Sequence, residues 1–170
     1  MRAGLSIRQA TPADIPSVVD LWNEAQNWLA SKGLDQWQYP IKMHNIYRAV
    51  EGGSCWLVEP ASGGPAIATI TLDATADPSL WRPEEQPDQA LYVHRLVVRR
   101  SEAHRNLGAD ILDWASEQVR RAGRKFLRLD AWTNNVALHD YYRRLDFRLV
   151  RLVVVPSGSG ALFERAVGDH

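Results

Sequence analysis

Residues Ala103–Ala115, AHRNLGADILDWA, come just after the apolar run LYVHRLVV at Leu91–Val98. How this stretch is read decides the fold. A strand that passes through a loop into a helix brings two things to the loop. They are the orphan N–H groups of the first helical turn and the positive end of the helix dipole. A glycine there lets the backbone come close to an anion. Here one glycine, Gly108, stands with Arg99, Arg100, His104 and Arg105. Taken alone, a lone glycine also fits a plain helix start. The surrounding elements must decide between the two.

Working outward, Leu107, Ile111, Ala115, Val119 and Ala122 recur at helical spacing. Arg120, Arg121, Arg124 and Lys125 gather near the end of that helix, where cations complement the dipole. ALYVHRLVV is the most apolar strand and is expected to be central. Downstream, FLRLDAW reads as a strand and Asn135 to Leu145 as a helix. FRLVRLVVV and ALFERAV read as a closing hairpin around PSGSG.

Upstream, LSIRQA reads as a first strand. Thr11 then caps a helix with Pro12 at its first position and Asp14 in its first turn. Ile15, Val18, Trp22, Ala25 and Leu29 carry its buried face, and Gly33 ends it. IKMHNIYRAVE is a second helix, stopped by Gly52 and Gly53. SCWLVE and AIATITL are two strands joined by PASGGP. ADPSLWRPEEQPD, rich in proline and acid, reads as a loop. The order β-α-α-β-β-β-α-β-α-β-β implies a mixed sheet with helices packed on it.

Bulk properties narrow the function. The 170 residues suit one domain spanning 1–170 with a real core. Twenty basic and twenty acidic residues give a net charge of zero, which argues against a nucleic-acid partner. Cys55 is the only cysteine, so no intrachain disulfide can form, and its place in CWLV suits a buried small residue. No stretch approaches the ~20 apolar residues of a membrane span. The N-terminal residues hold no apolar signal core. The expectation is a cytoplasmic protein that binds no membrane. No His, Cys and carboxylate cluster has metal-ligand spacing, so no metal is expected.

From Ala90 to Phe147 the chain resembles the GNAT superfamily of acyl-CoA N-acyltransferases. Its strand–loop–helix motif has a Val, then variable positions with an Arg or Gln among them, then Gly-x-Gly. With Val98 as that Val, Ala103 stands at the Arg or Gln position, Asn106 at the first Gly and Gly108 at the second. Ile111 and Leu112 match the apolar pair that follows. Asn accepts positive φ better than most residues, and the cradle is mainly backbone. The resemblance implies a single-domain α/β (α+β) fold, a mixed and mostly antiparallel sheet of about seven strands with about four helices. It implies acetyl-CoA as cosubstrate. Its pyrophosphate would sit on Ala103, His104, Arg105, Asn106, Leu107, Gly108 and Ala109, and its pantetheine on Leu96, Val97 and Val98. The strands LYVHRLVV and FLRLDAW would splay to admit it.

TNNVALHDYYRRLDF, Thr133–Phe147, resembles a second family motif. Asn135, Leu138, Tyr142 and Phe147 match in register, while Asp146 stands where Gly is usual. By that resemblance Asn135 bonds the pantetheine arm and Tyr142 lies by the thioester sulfur. A phenol can donate a proton to a departing thiolate. Tyr141 lies about 100° around the helix, so only one of the two can point at the sulfur.

The implied enzyme is an acetyl-CoA-dependent N-acetyltransferase acting on the primary amine of a small molecule. A protein or peptide N-acetyltransferase, a non-catalytic CoA-binding module and a pure interaction domain are alternatives. The acceptor must lose a proton before attack. His94 is the most tempting base, although a single strand histidine is more often a packing residue. Glu24, Asp35 and Asp73, or a water chain, could replace it, and Asp130 could be a buried structural carboxylate. Trp37, in the loop GLDQWQYP, and Trp132, at a strand end, are aromatic candidates for the acceptor alongside His94. Exposed sheet edges and the VVV strand near the C-terminus permit a homodimer without requiring one.

Overall fold

The computed structural model describes residues 1–168. Seven strands and four α-helices follow the expected order. β1 (Leu5–Gln9) leads to α1 (Ile15–Ser31) and α2 (Met43–Glu51). β2 (Cys55–Pro60), β3 (Ala68–Asp73) and β4 (Ala90–Val98) follow, then α3 (Leu107–Arg121). β5 (Phe126–Ala131), α4 (Val136–Arg144), β6 (Arg148–Leu152) and β7 (Ala161–Ala166) complete it. Hydrogen-bonded neighbours run β1-β2-β3-β4-β5-β7-β6, so the most apolar strand is fourth of seven. β4 and β5 are parallel, whereas β1–β2, β2–β3, β5–β7 and β6–β7 are antiparallel.

Two compact units divide the chain. One comprises Met1–Leu72 and Arg95–Leu112, the other Asp73–His94 and Asp113–His170. The core of the first packs Val18, Leu21 and Trp22 of α1 with Ile46, Ala49 and Val50 of α2. Cys55, Leu57 and Val97 of the strands join them. Before α1, the Thr11 N–H and hydroxyl both donate to Asp14 Oδ2, at 2.7 and 2.8 Å. The capping pair therefore starts a short 3-10 turn, Pro12–Asp14, and α1 proper begins one residue later. Arg8 of β1 donates to both Asp14 oxygens at 2.8 and 2.9 Å and to Glu59 of β2. The turn is thus locked to the first strand pair.

In the second unit the segment expected to be a plain loop is anchored. It forms two 3-10 turns, Pro83–Glu85 and Pro87–Gln89, while Leu80 and Trp81 are buried with Tyr92 and Leu162. Arg128 of β5 holds it. Arg128 is buried against Glu164 of β7 at 2.7 Å and donates to the Glu85 carbonyl at 2.6 Å. Its guanidinium lies 4.5 Å from the Trp81 ring centroid and 4.9 Å from that of Phe126. Arg151 adds a second clamp on Glu85 and the Leu80 carbonyl. An arginine buried this way supplies planar donors to carboxylate, carbonyl and ring together, which lysine could not.

One expected strand is shorter than its sequence implied. FRLVRLVVV leaves β6 at Leu152, after an irregularity between Leu149 and Arg151. Val153 and Val155 turn onto the core of the second unit, and Val154 is fully exposed. The VVV segment is therefore not a strand. Gly160 lies opposite Val153, so close that a Cβ on it would overlap the Val153 carbonyl. Val153 N–H donates to the Gly160 carbonyl at 2.7 Å.

Candidate active site

The first unit carries the end of β4 and the loop into α3. Val97 is buried in its core, and Leu96 and Val98 are half-buried. Arg99 N–H donates to the Ile67 carbonyl at 2.8 Å, and its guanidinium to the Ala66 carbonyl at 3.0 Å. A 3-10 turn, Arg100–Glu102, follows, and Ala103 closes it in an extended conformation. His104 and Asn106 then both take positive φ, +67° and +59°. His104, Arg105 and Asn106 are exposed. Asp110 N–H donates to the Asn106 carbonyl at 3.1 Å. By helix geometry the N–H groups of Leu107, Gly108 and Ala109 precede that bond at the start of α3.

Glu24 of α1 holds this loop. Its carboxylate accepts from the Arg100 N–H at 3.0 Å and lies 3.8 Å from the Arg99 guanidinium. The Arg100 guanidinium stacks 3.8 Å over Trp28. Glu24, one of the candidate bases, is thus engaged with the loop backbone. Arg105 reaches Glu102 at 3.2 Å. The three loop arginines are thus engaged with Glu24, the Ala66 carbonyl, Trp28 and Glu102. Nothing in the local sequence could show this role for Glu24, because 76 positions separate it from Arg100.

Trp37, also in this unit, stacks on Trp22 at 4.4 Å between centroids and takes φ +59°. Gln26 donates to the Trp37 and Tyr39 carbonyls at 2.8 and 2.9 Å, pinning the GLDQWQYP loop to α1.

The second unit carries the other motif. Asn135 stands at the start of α4, and its side-chain oxygen accepts from the Leu138 N–H at 3.1 Å. That oxygen caps the helix. Asp146 takes φ +62° just past the helix. Both non-glycine residues at the family's glycine positions, Asn106 and Asp146, therefore hold the left-handed backbone that glycine would supply. Tyr142 is buried against Tyr141, Phe147 and Phe163 at 5.5–5.7 Å between centroids. Burial pushes its phenol well above the usual range, and the charges of Tyr141 and Asp130 push the same way. It stays protonated at any working pH.

Trp132 is buried beneath the β6–β7 loop, where Gly158 meets the edge of its six-membered ring. Thr133 is stitched to the same loop, donating to the Gly158 carbonyl at 2.8 Å and accepting from Gly160 N–H at 3.0 Å. His139 Nε2 lies 2.8 Å from the Trp132 carbonyl, which can only accept, so that nitrogen carries the proton. The histidine ties α4 to the end of β5, a role that its helical neighbours in sequence do not signal.

His94 lies on β4 with Nε2 3.4 Å from Asp73 Oδ1, at the end of β3. The paired register of β4 and β5 runs from Ala90–Phe126 to Val93–Leu129. His94 and Asp130 are the next residue on each strand. Asp130 is held above the usual carboxylate range, chiefly by burial, with the charge of His94 opposing that rise. One residue on, Arg95 takes φ +48°. Strand alternation slips there: Tyr92 and Val93 are both buried, and so is Val97.

Residues 17–147 match the model of the acetyltransferase (GNAT) family, and the chain belongs to that family. The uncharacterized N-acetyltransferase YesJ of Bacillus subtilis (strain 168) is 29% identical over 142 residues, 81% of this chain and 78% of that protein. A GNAT-family acetyltransferase from Listeria monocytogenes 4b F2365 superposes with a TM-score of 0.80 at 24% identity, over 98% of each chain. The acetyltransferase yncA from Salmonella typhimurium, solved with acetyl-CoA, has a TM-score of 0.68 at 16% identity, over 99% of this chain and 96% of its own. No helix among the described residues is long and apolar enough to cross a membrane, and no group of His, Cys, Asp and Glu among them could hold a metal.

Proposed function

We propose that the chain transfers the acetyl group of acetyl-CoA to a primary amine of a small molecule. The observation that carries this reading is the loop backbone at His104 and Asn106. Two non-glycine residues hold left-handed φ there, immediately before a helix start, in an exposed loop. Such backbone costs about 1–3 kcal/mol per residue and persists where the surroundings over-determine it. Backbone of this kind can gather amides into an anion-binding concavity. Gly108 and Ala109 keep two adjacent positions of the first turn small, and Leu107 before them is buried. The loop therefore fits a pyrophosphate, held by the N–H groups of His104 to Ala109. Backbone groups of Leu96 to Val98 and the amide of Asn135 are the proposed contacts of the pantetheine arm.

Acetyl-CoA supplies an activated acyl group as a thioester. Tyr142 donates its proton to sulfur as the carbon–sulfur bond breaks. Its raised phenol ensures that the proton is present, and burial resists leaving a bare phenolate. The GLDQWQYP loop, held closed on α1 by Gln26, favours a small acceptor over a peptide.

Two measurements test this. Acetyl-CoA should raise the thermal midpoint, by about 2.7 kcal/mol of stabilisation at 100 times its Kd. A panel of amines and peptides should then yield thiol release with a small amine. Tyr142→Phe keeps the packing, and we expect kcat to fall by about 10²-fold or more. Binding without thiol release for any acceptor would assign a CoA-binding module instead. Full turnover in Tyr142→Phe would remove the general acid from that residue.

A further inference from the structure

We propose that His94 is the general base of the transfer, with Nδ1 as the accepting atom and Asp73 as its positioning residue. The inference rests on the transfer reading above and adds the group that activates the amine.

The geometry is specific. Asp73 Oδ1 faces Nε2 at 3.4 Å. A carboxylate there favours the tautomer with hydrogen on Nε2, which leaves the lone pair on Nδ1. Imidazole is the side chain whose ordinary titration lies closest to neutrality, so it can both take and release a proton at working pH. His94 is also the first residue of β4 beyond its pairing with β5. Both it and Asp73 have side chains about 30% exposed, so the imidazole is reachable.

Asp73 approaches His94 from the end of β3, and the field of Asp130 acts from β5. Asp77, in the segment after β3, acts on Asp130 in turn. Arg95, next on β4, sends its guanidinium to Thr71 Oγ1 at 3.4 Å. Asp130 also raises the Tyr142 phenol, so its field reaches both the base and the acid. Carboxylates near an imidazole stabilise the imidazolium that forms when it takes a proton.

The step balances. The amine nitrogen bonds to the thioester carbon while its proton passes to His94 Nδ1. The carbon–sulfur bond breaks, and sulfur takes the Tyr142 proton. His94 then gives its proton up and Tyr142 regains one, each by exchange with solvent, and the products are the amide and the free thiol.

The test is thiol release as a function of pH with the amine that the panel selects, after thermal unfolding shows each variant folded. We expect His94→Gln to lower kcat/KM for the amine by about 10²-fold or more, with the KM for acetyl-CoA unchanged. The acid limb of the profile should vanish. Asp73→Asn should keep more activity than His94→Gln, lowering kcat rather than raising the KM for acetyl-CoA, because the imidazole loses the group that orients it. His94→Gln within about threefold of the parent with the acid limb intact would overturn the proposal, and full parent activity in Asp73→Asn would remove Asp73 as the positioning residue. A parent chain that releases no thiol with any acceptor would instead sink the transfer reading, and this inference with it. Tyr142→Phe is expected to lose rate while retaining the acid limb, which separates the acid from the base.

Discussion

Gly158→Ala joins a defect in packing to the second motif. Gly158 has φ +84°, and a Cβ built there would lie 2.5 Å from the nearest atom of the Trp132 ring. Left-handed backbone costs an alanine about 1–2 kcal/mol. Overpacking costs about 1–3 kcal/mol more. The indole cannot swing away cheaply, because Trp132 is only 8% exposed and Thr133 is bonded to the same loop. The sum is about 2–5 kcal/mol. For a chain of this size that lowers the thermal midpoint by about 4–20 °C. The assay is calorimetry on a double-mutant cycle with Trp132→Phe. The shorter ring removes the atoms that clash, so the two changes together should cost less than the sum of each alone by about 1–3 kcal/mol. A Gly158→Ala midpoint within about 2 °C of the parent, or strict additivity in the cycle, would refute the reasoning.

Other expectations follow from paired charges. Glu164→Gln leaves Arg128 charged and buried among Trp81, Phe126 and backbone carbonyls, so stability should fall by about 3–5 kcal/mol in chemical denaturation. Arg148→Ala, which removes the exposed partner of the same carboxylate, should cost no more than about 1 kcal/mol. The Arg8 guanidinium, ahead of the opposing effect of burial, holds the Asp14 carboxyl well below the usual carboxylate range, and Thr11 adds to it. The folded value is depressed, so this contribution is complete above the unfolded value of about 3.9 and is lost as pH falls below it. Asp14→Asn should flatten the acid side of the midpoint-versus-pH curve, and an unchanged slope would discard the assignment.

Periodicity and local chemistry were enough to read the order of eleven elements, the β2–β3 hairpin and the central place of β4. They also located the starts of α3 and α4. These features depend on residues within a few positions of one another. Asn135 is recognisable as a helix cap because its partner, the Leu138 N–H, is three residues away. Asn106 could be expected at positive φ because its own side chain tolerates it. The two family motifs were legible for the same reason, being short and nearly contiguous.

Other features became visible only in three dimensions. Three apolar residues read as strand at Val153–Val155, but β6 ends at Leu152 and Val153 and Val155 pack on the core. An acidic, proline-rich stretch reads as loop until Arg128, some forty positions on, pins it. Alternation through His94 fails at Arg95, whose side chain gives no hint of a left-handed backbone. Asp73 and His94 meet across 21 positions, and Glu24 and Arg100 across 76. Local propensity sums preferences along the chain, so it finds elements and their caps. Which charge meets which, and which aromatic is covered, depends on strand register and loop closure, and those are settled when distant segments pack.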